Sequence, residues 1–284
     1  MRTRATPLLA GLGLIGLLVG CKAAAPPAAV DDVAVATATA VEVAQPTTAA
    51  AATTFDHGDF STILAAYVKD GKFDYAALKA NAEDSAHFES YLQQLGAADP
   101  AGLSKEDRYA FWVNAYNAFN IKAVLDHWPT TGPKAVEGYF DKIQYRVGGE
   151  DMTINDMEYV KLIPEQNDGR AHFAVVCADN GSMSLETAAL TPDNLESTLE
   201  KKTREFVSSE KNFKVDREKK VVYVSQLFEW YDADFTADPK FKGKKGVEYL
   251  IPYVDADTAA FLAGGDYTVE FIPWDWSLNS SAAE

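Results

Sequence analysis

"SKEDRYAFWVNAYNAFNIKAVLDHW", residues 104–128, decides how this chain folds. Ser104 followed by Asp107 makes a capping pair at the start of a helix. Tyr109, Trp112, Val113, Tyr116, Ala123 and Val124 form one apolar face. Phe111, Ala115, Ala118, Ile121 and Leu125 fill the remaining turns. A helix apolar nearly all round is a buried one, and Pro129 stops it. Two amides, Asn114 and Asn117, interrupt the apolar surface. Inside a core they must find partners, because an unpaired buried amide costs about 1–3 kcal/mol. They either brace a neighbouring loop or line a pocket, where they and Cys177 would be the substrate-binding side chains.

Elements of both kinds flank this helix. Upstream, "DFSTILAAYVKDGKFDYAALKA" reads as helix, glycine turn, extended Lys72–Tyr75 and a second helix. Ser85 to Leu95 is amphipathic, with Phe88, Tyr91, Leu92 and Leu95 on one face. Downstream, "KIQYRVGGEDMTI" predicts a hairpin around Gly148-Gly149. "NDMEYVKLI" predicts a short helix with Asn155 as cap and Glu158 in its first turn. "HFAVVCA" predicts a buried strand, Pro192 opens a helix, and "FKVDREKKVVYVS" predicts a second hairpin. "QLFEWYDADF" reads as helical, "KGVEYLIPYV" and "DADTAAFLAG" as helices or loops, and "YTVEFIPWDWSLN" as a final strand. Trp274 and Trp276 within it read as core packing. No βαβα rhythm emerges, so the expected class is α+β, with helices around a small, mostly antiparallel sheet.

The first residues do not belong to this fold. Arg2 and Arg4, an apolar run from Pro7 to Val19 and "LVGC" at 18–21 resemble a lipoprotein leader with its lipobox. The expectation is cleavage after residue 20 and lipid on Cys21; the alternative is an ordinary secretory signal with an incidental cysteine. Lys22, where an Asp would resemble an inner-membrane retention signal, points to the outer membrane, facing the periplasm. From 21 to 54 the composition falls to Ala, Val, Thr and Pro, as in a flexible tether, with a marginal strand at Val33–Val43 as the alternative. Residues 55–284 remain as one domain.

Composition restricts function. The net charge of −16 repels phosphate backbones and disfavours nucleic acid. With Cys21 lipidated, Cys177 has no disulfide partner. The four histidines (His57, His87, His127, His172) show no zinc-ligand spacing, and no phosphate loop or dinucleotide fingerprint occurs, so neither metal nor cofactor is expected. Three of the histidines read as lying on surface helices or at the tether edge.

Chemistry-bearing side chains concentrate in "HFAVVCADNGSMSLETAAL", residues 172–190. Cys177, inside an apolar run, reads as a small buried hydrophobe. Ser182 follows Gly181 in a turn, where a hydroxyl can enter a cleft or simply cap the next segment. His172 would be its base and Glu158 the orienter of that base. The alternative for His172 is a hydrogen-bonded structural histidine.

"RYAFWVNAYNAFNIKAVLDHWP", "HFAVVCADNGS", "SQLFEWYDADF" and "WDWSLN", in that order, resemble the family catalogued as domain of unknown function 547, over roughly 71–279. The resemblance implies an α+β fold distantly similar to papain-like or transglutaminase-like thiol hydrolases. The family pattern, roughly Cys-Ala-Ser-x-x-Cys-Pro-Pro-Leu, places its first Cys on Cys177 and its second on Ser182, and its prolines on Met183 and Ser184. Its Ile-Glu-His places the Glu on Glu158 and the His on Tyr159. The implied activity is hydrolysis or acyl transfer at peptide or amide bonds, weakened or lost where Ser182 replaces a thiol. The competing readings are a module that binds a peptide or small molecule, and a structural envelope lipoprotein.

Overall fold

The computed structural model describes residues 54–281. Cys21, the expected leader and all but the last residue of the expected 21–54 tether lie outside them. The long apolar helix is present as expected. Ahead of it come α1 (Gly58–Tyr67), the two-residue strands β1 (Val68–Lys69) and β2 (Lys72–Phe73), α2 (Tyr75–Ala80) and α3 (Ala82–Ala97). Asp74 and Asn81 cap the two later helices by accepting backbone N–H bonds in their first turns. Then α4 runs Lys105–Asp126, and the Ser104 hydroxyl accepts the Asp107 N–H at 3.0 Å. Every residue of α4 from Tyr109 to Ile121 is buried. Helix α3 packs on it and α1 packs on α3, where Phe60 stacks on Tyr91 at 5.1 Å and 7°. Each such ring contributes about 1.5–3 kcal/mol by leaving water. His57 belongs to this core. It does not sit at the surface edge of a tether: it is buried, with Nδ1 2.7 Å from the Tyr91 hydroxyl.

The Gly148-Gly149 hairpin forms as read. β3 (Gln144–Val147) pairs antiparallel with β4 (Glu150–Thr153). Both glycines take positive φ, 59° and 80°, as this two-residue turn requires. Their N–H groups donate to Leu95 and Gly96 carbonyls, tying the turn to the end of α3. A continuous helix over 154–166 follows, made of α5 (Ile154–Asp156), a π-helical stretch Met157–Leu162 and α6 (Ile163–Gln166). Its cap is Thr153, in a reciprocal capping box with Asp156, in place of the expected Asn155. Pro164 has no N–H to continue the α-helical ladder, and the wider π turn lies just ahead of it.

"HFAVVCA" is not a strand. Ala171–Ala174 is one helical turn (α7); Val175 and Val176 are buried, Cys177 is half-buried, and none of the three is in a sheet. A side chain replaces the neighbouring strand. Asn117 Nδ2 donates to the Ala174 carbonyl at 3.0 Å and its Oδ1 accepts the Val176 N–H at 2.8 Å. One helical turn earlier on α4, Asn114 does the same for Leu190, donating to its carbonyl at 2.7 Å and accepting its N–H at 2.9 Å. The two amides thus hold both ends of the 174–190 segment against the central helix.

Beyond it run α8 (Pro192–Ser208), β5 (Phe213–Asp216), β6 (Val221–Ser225), α9 (Leu227–Trp230), α10 (Asp232–Phe235), α11 (Ala256–Gly264) and β7 (Thr268–Ile272). "KGVEYLIPYV" contains a 3-10 helix, Gly246–Tyr253. β5 and β6 pair antiparallel, whereas β7 adds to β6 in parallel. The fold is therefore α+β, its strands spread over two hairpins and one three-stranded sheet. This last sheet and the helices around it enclose a second apolar core containing Phe206, Val222, Phe228 and Leu262.

The expected final strand pairs only over Thr268–Ile272. The chain then crosses back to the first half. Asn180 and Gly181 N–H groups donate to the Ser277 and Asp275 carbonyls. Asn279 receives the Tyr75 hydroxyl on Oδ1 at 2.5 Å and the Phe73 N–H on its carbonyl, and donates its own N–H to Ala178. No described helix is long and apolar enough to cross a membrane.

Candidate functional site

A crevice of about 130 Å³ lies where the two cores meet. The 154–166 helix contributes Asn155, Glu158 and Tyr159, and α4 contributes Tyr116. The segment held by Asn117 contributes His172, Val175, Cys177 and Ser182. Leu227, Trp230 and Tyr231 enter from α9 and its end, Trp274 and Trp276 from the returning C-terminal segment, and Phe140 from the loop before β3. Trp274 and Trp276 are therefore part of a wall, where the sequence reads as core. Glu158, His172, Cys177 and Ser182, picked from the sequence, all reach this one crevice. Asn114 and Asn117 do not line it; both amides are taken by backbone.

His172 is fixed on three sides. Its Nδ1 lies 3.2 Å from Glu158 Oε1 and its Nε2 3.0 Å from Asp234 Oδ2, and the ring stacks on Tyr231 at 4.1 Å and 20°. The side chain has no exposed surface. Burial pushes its pKa down, but the hydrogen bonds to Asp234 and Glu158 outweigh burial and raise it. In the protonated form both ring nitrogens donate, and no lone pair is left to take a proton.

Cys177 Sγ is hydrogen-bonded to the Tyr116 hydroxyl at 3.2 Å, and burial, with Asp179 and Glu158 nearby, pushes the thiol well above its ordinary range. Such a thiol stays protonated and inert. Ser182 is turned inward upon its own loop. Its hydroxyl donates to Asp179 Oδ1 at 2.9 Å and accepts the Cys177 N–H at 3.0 Å, while its N–H also donates to Asp179 Oδ1. The Glu158–His172 half of a nucleophile–base–orienter chain thus exists, and the hydroxyl's bonds go to Asp179 and Cys177, not to the imidazole. Asp179 is buried, which raises its pKa against the bonds it accepts from Trp274 Nε1, at 3.0 Å, and from Ser182. Gly181 lets the Trp274 ring lie directly over this loop; a Cβ there would sit 2.4 Å from the ring.

Sequence reasoning missed Asp234 and Tyr231, which close His172 from the far side, and Asp179, which holds Ser182. Asp179 had a local signal, since an Asp three residues ahead of Ser182 across an Asn-Gly turn suits the side-chain-to-backbone bond seen here. Asp234, 62 residues from its partner, had none. Among the described residues no group of three or more His, Cys, Asp or Glu could hold a metal ion.

The family described as "Protein of unknown function, DUF547" matches residues 100–207. The match takes in α4, Glu158, the 172–190 segment and nearly all of α8. It is narrower than 71–279 and leaves out Asp234 and the Trp274–Trp276 wall. No curated protein and no solved structure matches the chain.

Proposed function

We propose that this DUF547-matching protein retains a small ligand, or one side chain of a peptide, in the crevice beside His172 without turning it over, while lipid on Cys21 holds it at the outer membrane facing the periplasm. The observation that carries the reading is the pattern of hydrogen bonds. Acyl transfer from Ser182 needs a free imidazole lone pair facing the hydroxyl. Here both His172 nitrogens face carboxylates, and Ser182 is spent on Asp179. Cys177 lacks the electropositive surroundings that would ionise it. What remains is a concave, ring-lined space with a few polar groups, which is what a binding site needs.

The size of the space limits the occupant. Sites for drug-sized ligands occupy roughly 300–1,000 Å³, and a cavity of ~150 Å³ holds one benzene. At about 130 Å³ the crevice takes a headgroup or one side chain. The lipid anchor is supported by "LVGC" at 18–21, and Cys21→Ser should release the protein from the membrane fraction.

Activity profiling with a fluorophosphonate and with iodoacetamide tests the crevice reading. The wild type should label with neither, while crevice ligands raise its Tm; a ligand at a hundred times its Kd adds ~2.7 kcal/mol of stability. Labelling of Ser182 that is lost in His172→Ala, or labelling in Ser182→Cys that depends on His172, would restore the hydrolase reading.

A further inference from the structure

We infer that the group held in the crevice is an organic cation, an alkylated ammonium, and not an anion or a neutral polar group. This rests on the binding reading above and adds the chemistry of the occupant.

Three indoles meet at the crevice. The ring centroids of Trp230, Trp274 and Trp276 lie 5.5, 5.7 and 6.1 Å apart, with mutual tilts of 34–54°. Tilted rings at these spacings form an aromatic corner in the wall, and aromatic faces are what recognises quaternary ammonium groups. Tyr159 and Tyr231 continue the wall, their hydroxyls hydrogen-bonded to each other, which uses one of the two O–H donors. The cluster already attracts a cation of this chain, since the Lys134 ammonium stands 4.2 Å from the Trp276 ring centroid.

Charge agrees with the rings. The lining residues include the Glu158 carboxylate and no lysine or arginine. His172 is the one other titratable base in the wall, and it is clamped between Glu158 and Asp234, so the two carboxylates outnumber it. An entering anion would meet a carboxylate and ring faces whose quadrupole is negative. A neutral polar group gains nothing from the carboxylate in the wall, and the Ser182 hydroxyl and both His172 nitrogens are already engaged and do not bind it. An alkylated ammonium has no N–H to satisfy when fully substituted, and its size suits the volume.

Three probes of one shape and different charge test this: choline, 3,3-dimethylbutan-1-ol and 3,3-dimethylbutanoate. Each is titrated into the full chain by calorimetry and by tryptophan fluorescence. Choline should bind at least tenfold more tightly than the alcohol, and the carboxylate most weakly. Trp230→Leu, at a ring that is 41% exposed and so dispensable to the core, should weaken choline at least tenfold with an unchanged circular dichroism spectrum. Equal or tighter binding of the alcohol overturns the cation assignment while leaving the crevice as a binding site. Binding by none of the three also overturns it, and the ligand-induced Tm rise then judges the binding reading separately. Choline binding undiminished in Trp230→Leu would place the cation elsewhere and overturn the inference.

Discussion

Asn117→Ala is the sharpest test of how the site is held. The amide is buried and spends both ends on the segment that carries His172 and Cys177, at 3.0 Å to the Ala174 carbonyl and 2.8 Å from the Val176 N–H. Truncation leaves a buried carbonyl and a buried N–H with no strand beside them. Each orphaned group costs about 1–3 kcal/mol, so the loss should be about 2–6 kcal/mol, a large part of the roughly 5–15 kcal/mol that holds a domain together. Asn117→Asp separates the bond from the packing. It keeps the shape and the acceptor but sets an oxygen against the Ala174 carbonyl, and should cost at least as much. Urea unfolding followed by circular dichroism gives the difference at constant m-value, and alkylation of Cys177 reports whether the segment has come loose. A loss under ~1 kcal/mol, with Cys177 as protected as before, would refute the claim that a side chain stands in for a strand.

Two histidines should shape the pH dependence with opposite signs. Burial drives His57 down from 6.5 to about 4, with Asp56 opposing weakly. Its contribution is whole above 6.5 and lost as pH falls toward 4, about 3 kcal/mol in all, and His57→Phe should remove that acid sensitivity from the urea midpoint. His172 is raised by its two carboxylates against burial. Its contribution is whole below the unfolded value near 6.5 and lost as pH rises through the folded one, so His172→Gln should flatten the alkaline side. Gly181→Ala forces a methyl into the Trp274 ring and should cost about 1–3 kcal/mol, with a shift in tryptophan emission. Cys177 should resist iodoacetamide at pH 7.5 in the native protein and react at once in denaturant, as a raised thiol pKa requires.

The parts legible in the sequence are those whose cause is local. Tyr109 to Ile121 could only be interior, and Gly148-Gly149 could only be a tight turn. The π-containing helix was located but its cap misplaced, because the cap that Thr153 forms with Asp156 lies two residues before the Asn155 that the reading favoured. "HFAVVCA" misled for a clear reason. An apolar β-branched run records that a segment is extended and buried, not what pairs with it, and its partner is an amide 59 positions away. The crevice divides in the same way. Glu158 and His172 were reachable through motif order, and their bond is present. Asp234 and the indole corner come from the second core, and nothing near them in the chain announces the partner they meet.

Asn279 gives the fold a temporal order. Its side chain receives the hydroxyl of Tyr75, 204 positions earlier, and its backbone joins Phe73 to Ala178. A chain that emerges N-terminus first, from a ribosome or through a membrane, exposes the Cys177 loop well before its fastening residue. Through that interval the nascent chain has the bulk of its helical core but no finished crevice. A stop codon shortly before residue 279 would yield a polypeptide that has most of its apolar mass and lacks its clasp, a form suited to proteolysis, not to binding.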